Sequence, residues 1–251
     1  MRSLKTILSV LKRELYGYVT SPMAYVLMAF FVILNMAFGF LVSNFLKKGD
    51  ASLTDFFMWH PWFYMLIGPA LGMRLWSEEQ RLGTMELLMT MPVAVWEVIV
   101  GKFLAACTVL LMALGLTFSM VVTVNLLGDP DTGVIFSGYL GSFLVGATAL
   151  AITCAISAVT RNQVACLLIS FFIILGLVLA GFPPFQDYLM RGTLLGIPLS
   201  PLAKPLASAS FFYHSNLLGQ GLLTIQSLVY FITLIAYCLF LTSVIIRSKR
   251  S

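Results

Sequence analysis

Long apolar runs alternate with short polar intervals along this chain, and the length of the runs decides the fold class. A helix needs about 20 consecutive apolar residues to cross a bilayer core of about 30 Å. Runs of this kind predict transmembrane helices at residues 23–46, 57–76, 98–127, 134–159, 164–182 and 222–246. The pattern therefore predicts an all-α, polytopic membrane protein with six spans in one domain over residues 1–251.

The first twenty residues carry apolar positions three and four apart, with basic residues off that stripe. The apolar positions are Leu4, Ile7, Leu8, Leu11 and Leu15. This spacing predicts an amphipathic helix over residues 1–20 that lies on the membrane surface. Ser21-Pro22 ends it, because proline suits the first turn of a new helix. The charges within the segment also exclude a cleavable signal peptide, which needs a continuous apolar core.

The composition agrees with a membrane protein and excludes other classes. The mean hydropathy is +0.98 and only 10% of residues are charged, against about 25% in soluble domains. The net charge of +5 comes from basic residues at the ends of apolar runs, so no basic face for nucleic acid is present. The cysteines lie inside apolar runs without Cys-x-x-Cys spacing and are expected to be buried: Cys107, Cys154, Cys166 and Cys238.

The distribution of basic residues predicts the orientation. Of the fifteen lysines and arginines, four lie in the predicted outer segments, at Lys47, Lys48, Arg191 and Lys204. The other eleven lie on the side that carries both termini. Because basic residues concentrate on the cytoplasmic side, both termini are expected in the cytoplasm, in a bacterial inner membrane.

The sequence carries no recognisable catalytic or ATP-binding motif. Gly101-Lys102 lacks the earlier glycine of a phosphate loop, so Lys102 is interpreted as an anchor that extends to the inner interface. His60 and His214 have no nucleophile or acid at a supporting spacing. No acidic residue lies near the middle of a predicted span, although proton-driven transporters usually place one there. We therefore expect a protein that is not an enzyme and that receives energy from a partner.

Two segments predict unusual packing. Gly138, Ser142 and Gly146 recur every four residues in the fourth span, a spacing that lets helices approach closely in lipid. Helix packing is the favoured interpretation of this row, and a pore lining is the alternative. Residues 183–221 are rich in proline yet apolar, which predicts two short re-entrant helices before the last span; a periplasmic loop is the alternative.

The polar interval at residues 77–92 predicts a cytoplasmic amphipathic helix between the second and third spans. One apolar face is expected to carry Leu82, Met85, Leu88 and Met89. Glu78 is close enough to Arg81 to pair with it. Pro92 ends the pattern. Such a helix either floats among lipid headgroups or docks into a groove on a soluble partner.

Three stretches resemble the ABC-type exporter permeases (type 2), most closely the subgroup of gliding-motility and copper-enzyme-maturation permeases. The first is Arg13-Glu14-Leu15 with Tyr18, Ser21-Pro22 and Ala24-Tyr25. The second is Met73-Arg74-Leu75 with Glu78-Glu79, Arg81, Gly83-Thr84 and Glu86-Leu87-Leu88, then Pro92-Val93 and Gly101-Lys102-Phe103. The third is Thr160-Arg161-Asn162-Gln163. The sequence departs from the subgroup at Gly72, where threonine is usual, and before the last span, where the usual Arg-Gly and Arg-Asp pairs are missing.

The resemblance implies a permease subunit that pairs with a second copy or a paralogue and with two ABC ATPase subunits. It implies a coupling helix at 77–92, with contacts from Glu78, Glu79, Arg81, Leu82, Thr84, Met85, Glu86 and Leu88. It also implies an elbow helix that carries Arg13 and Glu14. ATP and Mg²⁺ would bind the ATPase, with no cofactor or metal on this chain; a periplasmic subunit is an optional partner. The alternatives are a non-transporting anchor or mechanotransmitter and, third, a secondary transporter.

The predicted orientation can be tested by cysteine labelling. In a chain without its own cysteines, cysteines that replace Ser52 and Asp131 should react with a membrane-impermeant maleimide in intact cells. Cysteines that replace Gln80 and Lys249 should react only after the cells are opened. Labelling of position 80 from outside would overturn both the orientation and the cytoplasmic position of the 77–92 segment.

Overall fold

The structure is a computed structural model, and it describes residues 2–42, 52–85, 93–191, 193–194, 197–198 and 200–249. The first helices are α1 (Arg2–Thr20), α2 (Pro22–Ala37, continued by a π-helical turn at Phe38–Val42), α3 (Thr54–Met58), α4 (His60–Gly72), α5 (Arg74–Leu82), α6 (Val95–Leu116) and α7 (Phe118–Leu127). They are followed by α8 (Thr132–Val159), α9 (Gln163–Leu179), α10 (Pro183–Arg191), a hairpin of β1 (Thr193–Leu194) and β2 (Ile197–Pro198), α11 (Ser200–Ser208), α12 (Phe211–Gly219) and α13 (Ile225–Ser248).

Within the described residues, four helical segments are long and apolar enough to cross a membrane: Pro22–Val42, Val95–Leu127, Thr132–Val159 and Ile225–Ser248. A fifth is present if α9 and α10 are taken as one span that bends by 68°. The described part of the chain is therefore helical apart from turns and one short hairpin, which confirms an all-α protein with several candidate membrane spans. The predicted count of six spans stays a prediction.

The span predicted at residues 57–76 is divided into three consecutive helices. The interruptions fall at Trp59 and Met73, close to Pro61 and Pro69. Proline removes a backbone donor and so weakens a continuous helix. Ten of the thirteen residues of α4 are buried, so this helix lies inside the bundle. The helix predicted at residues 77–92 is α5, which begins at Arg74 and ends at Leu82. Only Met73 separates it from α4.

The segment predicted as one span at residues 98–127 is interrupted at Thr117, although Val95–Leu127 still qualifies as one candidate membrane span. The Thr117 hydroxyl donates a hydrogen bond to the Leu114 carbonyl at 2.7 Å, and its backbone N–H bonds to the same carbonyl at 3.0 Å. Hydroxyl back-bonding of this type competes with the helical ladder and bends helices. Helix α6 therefore ends at Leu116, and α7 starts at Phe118.

Helix α8 lies at the centre of the bundle, where it packs against α3, α4, α5, α6, α9, α12 and α13. A Cβ added at Gly146 would lie 2.7 Å from Leu110 and 3.1 Å from Tyr64. The Tyr64 hydroxyl is also hydrogen-bonded to the Ser142 hydroxyl at 2.8 Å. Small residues thus allow neighbouring helices to approach α8 closely, which confirms helix packing as the role of this row.

Side-chain caps set the starts of α8 and α9. The Asp131 carboxylate accepts a hydrogen bond from the Gly133 N–H at 2.7 Å. The side-chain oxygen Oδ1 of Asn162 accepts one from the Val164 N–H at 2.9 Å. Both residue types are favoured at this position because they satisfy N–H groups that the helix leaves free. The turn before α8 therefore follows directly from its sequence.

The described residues between 183 and 219 form three short helices, α10, α11 and α12, and the hairpin of β1 and β2, where two re-entrant helices were predicted. His214 joins this segment to the last helix. Its Nδ1 lies 2.9 Å from the Ser227 hydroxyl, and its Nε2 lies 2.9 Å from the Ser208 carbonyl oxygen. Because a carbonyl only accepts, Nε2 carries the proton and Nδ1 accepts from Ser227. With Tyr230 stacked on the ring at 4.3 Å, His214 has a structural role.

The prediction that the cysteines are buried is confirmed. All four are free and buried, at Cys107, Cys154, Cys166 and Cys238. They behave as small apolar side chains inside the bundle.

The close approach of α4 to α8 gives a stability prediction. A Cβ at Gly68 would lie 2.7 Å from the Cβ of Ala149. Gly68→Ala should therefore destabilise the protein by about 1–3 kcal/mol, because both backbones must shift. Gly176→Ala is the matched control, since nothing lies within 4 Å of its added Cβ. Apparent melting temperatures in detergent measure both, and equal values would contradict the close packing.

Candidate functional site

Four charged side chains meet where α1, α5 and α6 converge, and we call Arg13, Glu14, Glu79 and Lys102 the ion cluster. The Lys102 ammonium lies 3.1 Å from Glu14 Oε1 and 2.9 Å from Glu79 Oε1. The Arg13 guanidinium lies 2.6 Å from the same Glu14 oxygen and 3.6 Å from Glu79 Oε1. These two cations and two carboxylates therefore connect α1 with α5 and α6, which lie much later in the chain.

Lys102 is the centre of the cluster because it is buried, with a side chain only 2% exposed. The residue before it makes this burial possible. A Cβ on Gly101 would lie 2.8 Å from the Val10 side chain and 3.1 Å from the Ile7 carbonyl oxygen, so only glycine lets α1 approach α6 this closely. The Trp76 ring lies 5.2 Å from the ammonium, within the range of a cation–π contact.

This geometry corrects the interpretation of Lys102 as an anchor at the membrane interface. A snorkelling lysine keeps its ammonium in water, whereas this ammonium is enclosed by two carboxylates and an indole ring. The partners come from α1 and α5, some ninety and twenty residues earlier in the chain. They could not be identified without the tertiary structure.

The electrostatics of the cluster favour the ionised form of Glu14. Burial raises the pKa of Glu14, but the charge of Lys102, together with hydrogen bonds from Arg13 and Lys102, outweighs burial and lowers that pKa below its ordinary value. Glu79 uses only one oxygen for these contacts. Its Oε2 is buried and has no hydrogen-bond partner within the described ranges.

A second set of contacts holds the end of α1 against the junction of α4 and α5. The Tyr18 hydroxyl donates to the Leu71 carbonyl at 2.9 Å, and Arg74 Nη1 donates to the Ser21 hydroxyl at 3.3 Å. Tyr18 and Arg74 belong to the stretches that resemble the exporter permeases. These hydrogen bonds fix the N-terminal helix beside the first residue of α5.

The other side of α5 is attached to the ends of α8 and α13 through Gln80. Its amide donates to the carbonyls of Ser157 at 3.0 Å and Ala158 at 2.8 Å. The Lys249 ammonium donates to the Gln80 side-chain oxygen and to the Ala158 carbonyl, both at 2.8 Å. A cation at the last carbonyls of a helix satisfies free acceptors and complements the helix dipole. Helix α5 is therefore bonded on both sides.

The surface of α5 that remains free is a turn at residues 81–84. Arg81, Leu82 and Thr84 are exposed, and Leu82 is 63% exposed. Gly83 has φ +72°, a left-handed conformation that ends α5. We call residues 81–84 the α5 turn; it presents an apolar side chain and a cation to the surroundings.

The α5 turn corrects two details of the sequence interpretation. Leu82 is exposed while Met85 is only 8% exposed, so these residues do not share one apolar face; Gly83 interrupts the helix between them. Glu78 makes no ion pair with Arg81 in the described region, whereas the neighbouring Glu79 belongs to the ion cluster. Glu86 and Leu88, which were also assigned to the coupling helix, lie outside the described residues.

Sequence reasoning selected Arg13, Glu14 and Glu79 separately, and the structure brings them together. Sequence reasoning did not assign four further residues to this region: Lys102, Trp76, Gln80 and Lys249. One signal for Lys102 was available: a lysine at the start of a long apolar run, directly after a glycine. The described residues contain no group of three metal-ligating side chains that could hold a metal ion.

The fold and this site define a multi-pass helical membrane protein in which a short polar helix, bonded on both sides, presents an exposed turn at one end of the bundle. A family model described as ABC-2 family transporter protein matches residues 8–248, and the chain belongs to this family. It is thus a membrane component of an ABC-type transporter, a class that works with ABC ATPase partners. No curated protein matches the chain.

The burial of Lys102 predicts a large and asymmetric mutational effect. Lys102→Met should destabilise the protein by about 2–4 kcal/mol, because it leaves two partly buried carboxylates with one mostly exposed arginine. Arg13→Gln should cost less than about 1 kcal/mol, since the Arg13 side chain is 56% exposed. Thermal unfolding of the purified protein measures both changes.

A compensating variant serves as the control for that experiment. Lys102→Met combined with Glu14→Gln and Glu79→Gln removes the uncompensated charges and should recover most of the lost stability. If the triple variant is less stable than Lys102→Met alone, Lys102 acts through packing and the ion cluster is not the cause.

The lowered pKa of Glu14 predicts a dependence on pH. A carboxyl group with a depressed folded-state pKa contributes stability above its unfolded-state pKa, and this contribution is lost as pH falls through the folded-state value. The wild-type melting temperature should therefore fall relative to that of Glu14→Gln below about pH 4.5. Between pH 5 and 7 the difference should be constant. Parallel pH profiles throughout would contradict the prediction.

Proposed function

We propose that this chain is the permease subunit of an ATP-driven ABC exporter and that the α5 turn is its contact with the ATPase. The observation that carries the proposal is the combination of an exposed Leu82 with bonds from Glu79 and Gln80 to the rest of the bundle. A surface that receives force from a partner must be accessible at its tip and firmly connected behind it. The family assignment supports an ATPase as that partner.

The connections behind the turn give a route for coupling. Glu79 joins α5 to α6 and α1 through Lys102, and Gln80 joins it to α8 and α13. Displacement of α5 by the ATPase would therefore act on four other helices at once. The interruption at Met73, between α4 and α5, provides a place where α5 can pivot against the buried α4.

The transport path is proposed to form between two permease copies, or between this chain and a paralogue. Helices α2 and α13 are apolar, yet in their most apolar stretches only 17% and 22% of the residues are buried within the described chain. These faces are available to lipid and to a second copy. In this arrangement both termini and the α5 turn lie in the cytoplasm of a bacterial cell, and two ATPase subunits bind ATP and Mg²⁺ below the permeases.

The proposal predicts that Leu82→Asp releases the ATPase. Loss of an apolar residue that fills a partner's pocket typically costs more than 1 kcal/mol, so the yield of co-purified ATPase should fall about tenfold. Insertion and melting temperature should be unchanged, because Leu82 is exposed. Arg81→Glu should instead weaken the complex in a salt-dependent way. Pull-down yield and ATPase activity of the assembled complex are the measurements.

Leu126→Asp is the matched control, because Leu126 is 82% exposed and lies near the end of α7, away from the α5 turn. It should leave the ATPase bound. If α5 only floats among lipid headgroups, Leu82→Asp will likewise retain the ATPase at wild-type yield and activity, and that result would refute the proposed coupling role.

A further inference from the structure

A groove opens on the outside of the bundle between the start of α6 and the end of α13. Its volume is about 330 Å³, within the range of about 300–1,000 Å³ for small-molecule sites. Its walls are apolar, with Trp96 and Val100 on α6 and Leu239, Phe240 and Val244 on α13. Trp96 is 46% and Phe240 67% exposed. In a membrane-spanning bundle, such a groove opens towards the lipid.

One end of the groove carries a positive charge. Arg247, in the last turn of α13, lines the groove and is exposed. No carboxylate is among the lining residues, and Arg247 has no ion pair within the part of the chain that the structure describes. Phe240 and Arg247 are separated by seven residues, or about 10 Å along a helix. The groove is therefore an apolar slot that ends at a cation with no ion-pair partner among the described residues.

The start of α6 adds to the positive potential at this end. Ala94 occupies the N-cap and forms no side-chain cap, and the N-terminal end of a helix dipole is positive. Glu97 lies in the same turn but is not among the residues that line the groove. Trp96 is of the residue type that concentrates at membrane–water interfaces, which places this end of the groove at headgroup level.

We propose that the groove binds an anionic phospholipid from the leaflet on the side of the chain termini, with an acyl chain in the slot and the phosphate at Arg247. Basic pockets between transmembrane helices are known to hold anionic headgroups. An acidic protein would leave the apolar slot unfilled. A second copy of this chain, with its net charge of +5, would bring like charge to Arg247.

Quenching of Trp96 fluorescence by brominated lipids tests the proposal on the full chain in phosphatidylcholine vesicles. Phosphatidylglycerol and phosphatidylcholine with dibrominated acyl chains are compared at the same mole fraction. The Trp96→Phe variant gives the background from Trp59, Trp62 and Trp76. Brominated phosphatidylglycerol should quench Trp96 with an apparent preference of about fivefold, the effect of one basic residue at an anionic lipid.

Three variants distinguish a specific lipid-binding site in the groove from a general attraction of anionic lipid to surface charge. Arg247→Gln should abolish the preference. Arg161→Gln, which removes one charge at the same end of the bundle but outside the groove, should retain it. Ser243→Phe fills the groove without a change of charge and should also abolish the preference. Circular dichroism and elution profile establish that each variant is folded.

Three outcomes would overturn the proposal. Equal quenching by the two lipids in the wild type would mean that the groove does not select charge. Equal losses of the phosphatidylglycerol preference in Arg247→Gln and Arg161→Gln would mean that the surface potential, and not a site at Arg247, causes the preference. Absence of Trp96 quenching by either lipid would mean that protein, such as a second copy, covers the groove.

Discussion

Close contact between helix backbones is the constraint on which this structure depends. Lipid provides no hydrophobic driving force between helices, so their association relies on van der Waals packing and on hydrogen bonds across helix interfaces. Helix α8 meets this requirement with small residues: Gly146 admits Leu110, and Ser142 bonds to Tyr64. Seven helices of the described chain pack around α8. A larger side chain in the row would separate the backbones and weaken both the packing and the hydrogen bonds that hold these helices together.

The same constraint explains how a lysine can be buried next to the N-terminal helix. Gly101 lets α1 approach α6 so closely that Glu14 reaches Lys102. Without that approach, the ammonium would lack a partner and would need water. Burial of paired charges gives less net stability than apolar packing would, but the pairing requires one geometry of three helices. The ion cluster therefore contributes a defined position for α5 more than it contributes free energy.

Under the proposed function, a defined position is what α5 needs in order to couple the permease to the ATPase. The α5 turn is exposed at Leu82, and the residues directly before it are bonded to α1, α6, α8 and α13. The lipid groove lies between α6 and α13, two of these helices. Under the proposed function, a lipid bound there would affect the same helices that receive force from the ATPase. Contacts of the protein with lipid and with its partner would then act on a common set of helices.

The sequence alone determined the membrane class, the helical fold, the burial of the cysteines, the packing row of α8 and the polar segment before α6. These properties depend on local composition and periodicity, which can be read along the chain. The sequence did not determine the partner of Lys102, the end of α5 at Gly83, or the division of the second predicted span. Glu14 and Glu79 lie 88 and 23 positions before Lys102, and a charge that is paired and buried has the same local pattern as one at an interface. Only the tertiary structure, which sets the distances between helices, distinguishes the two.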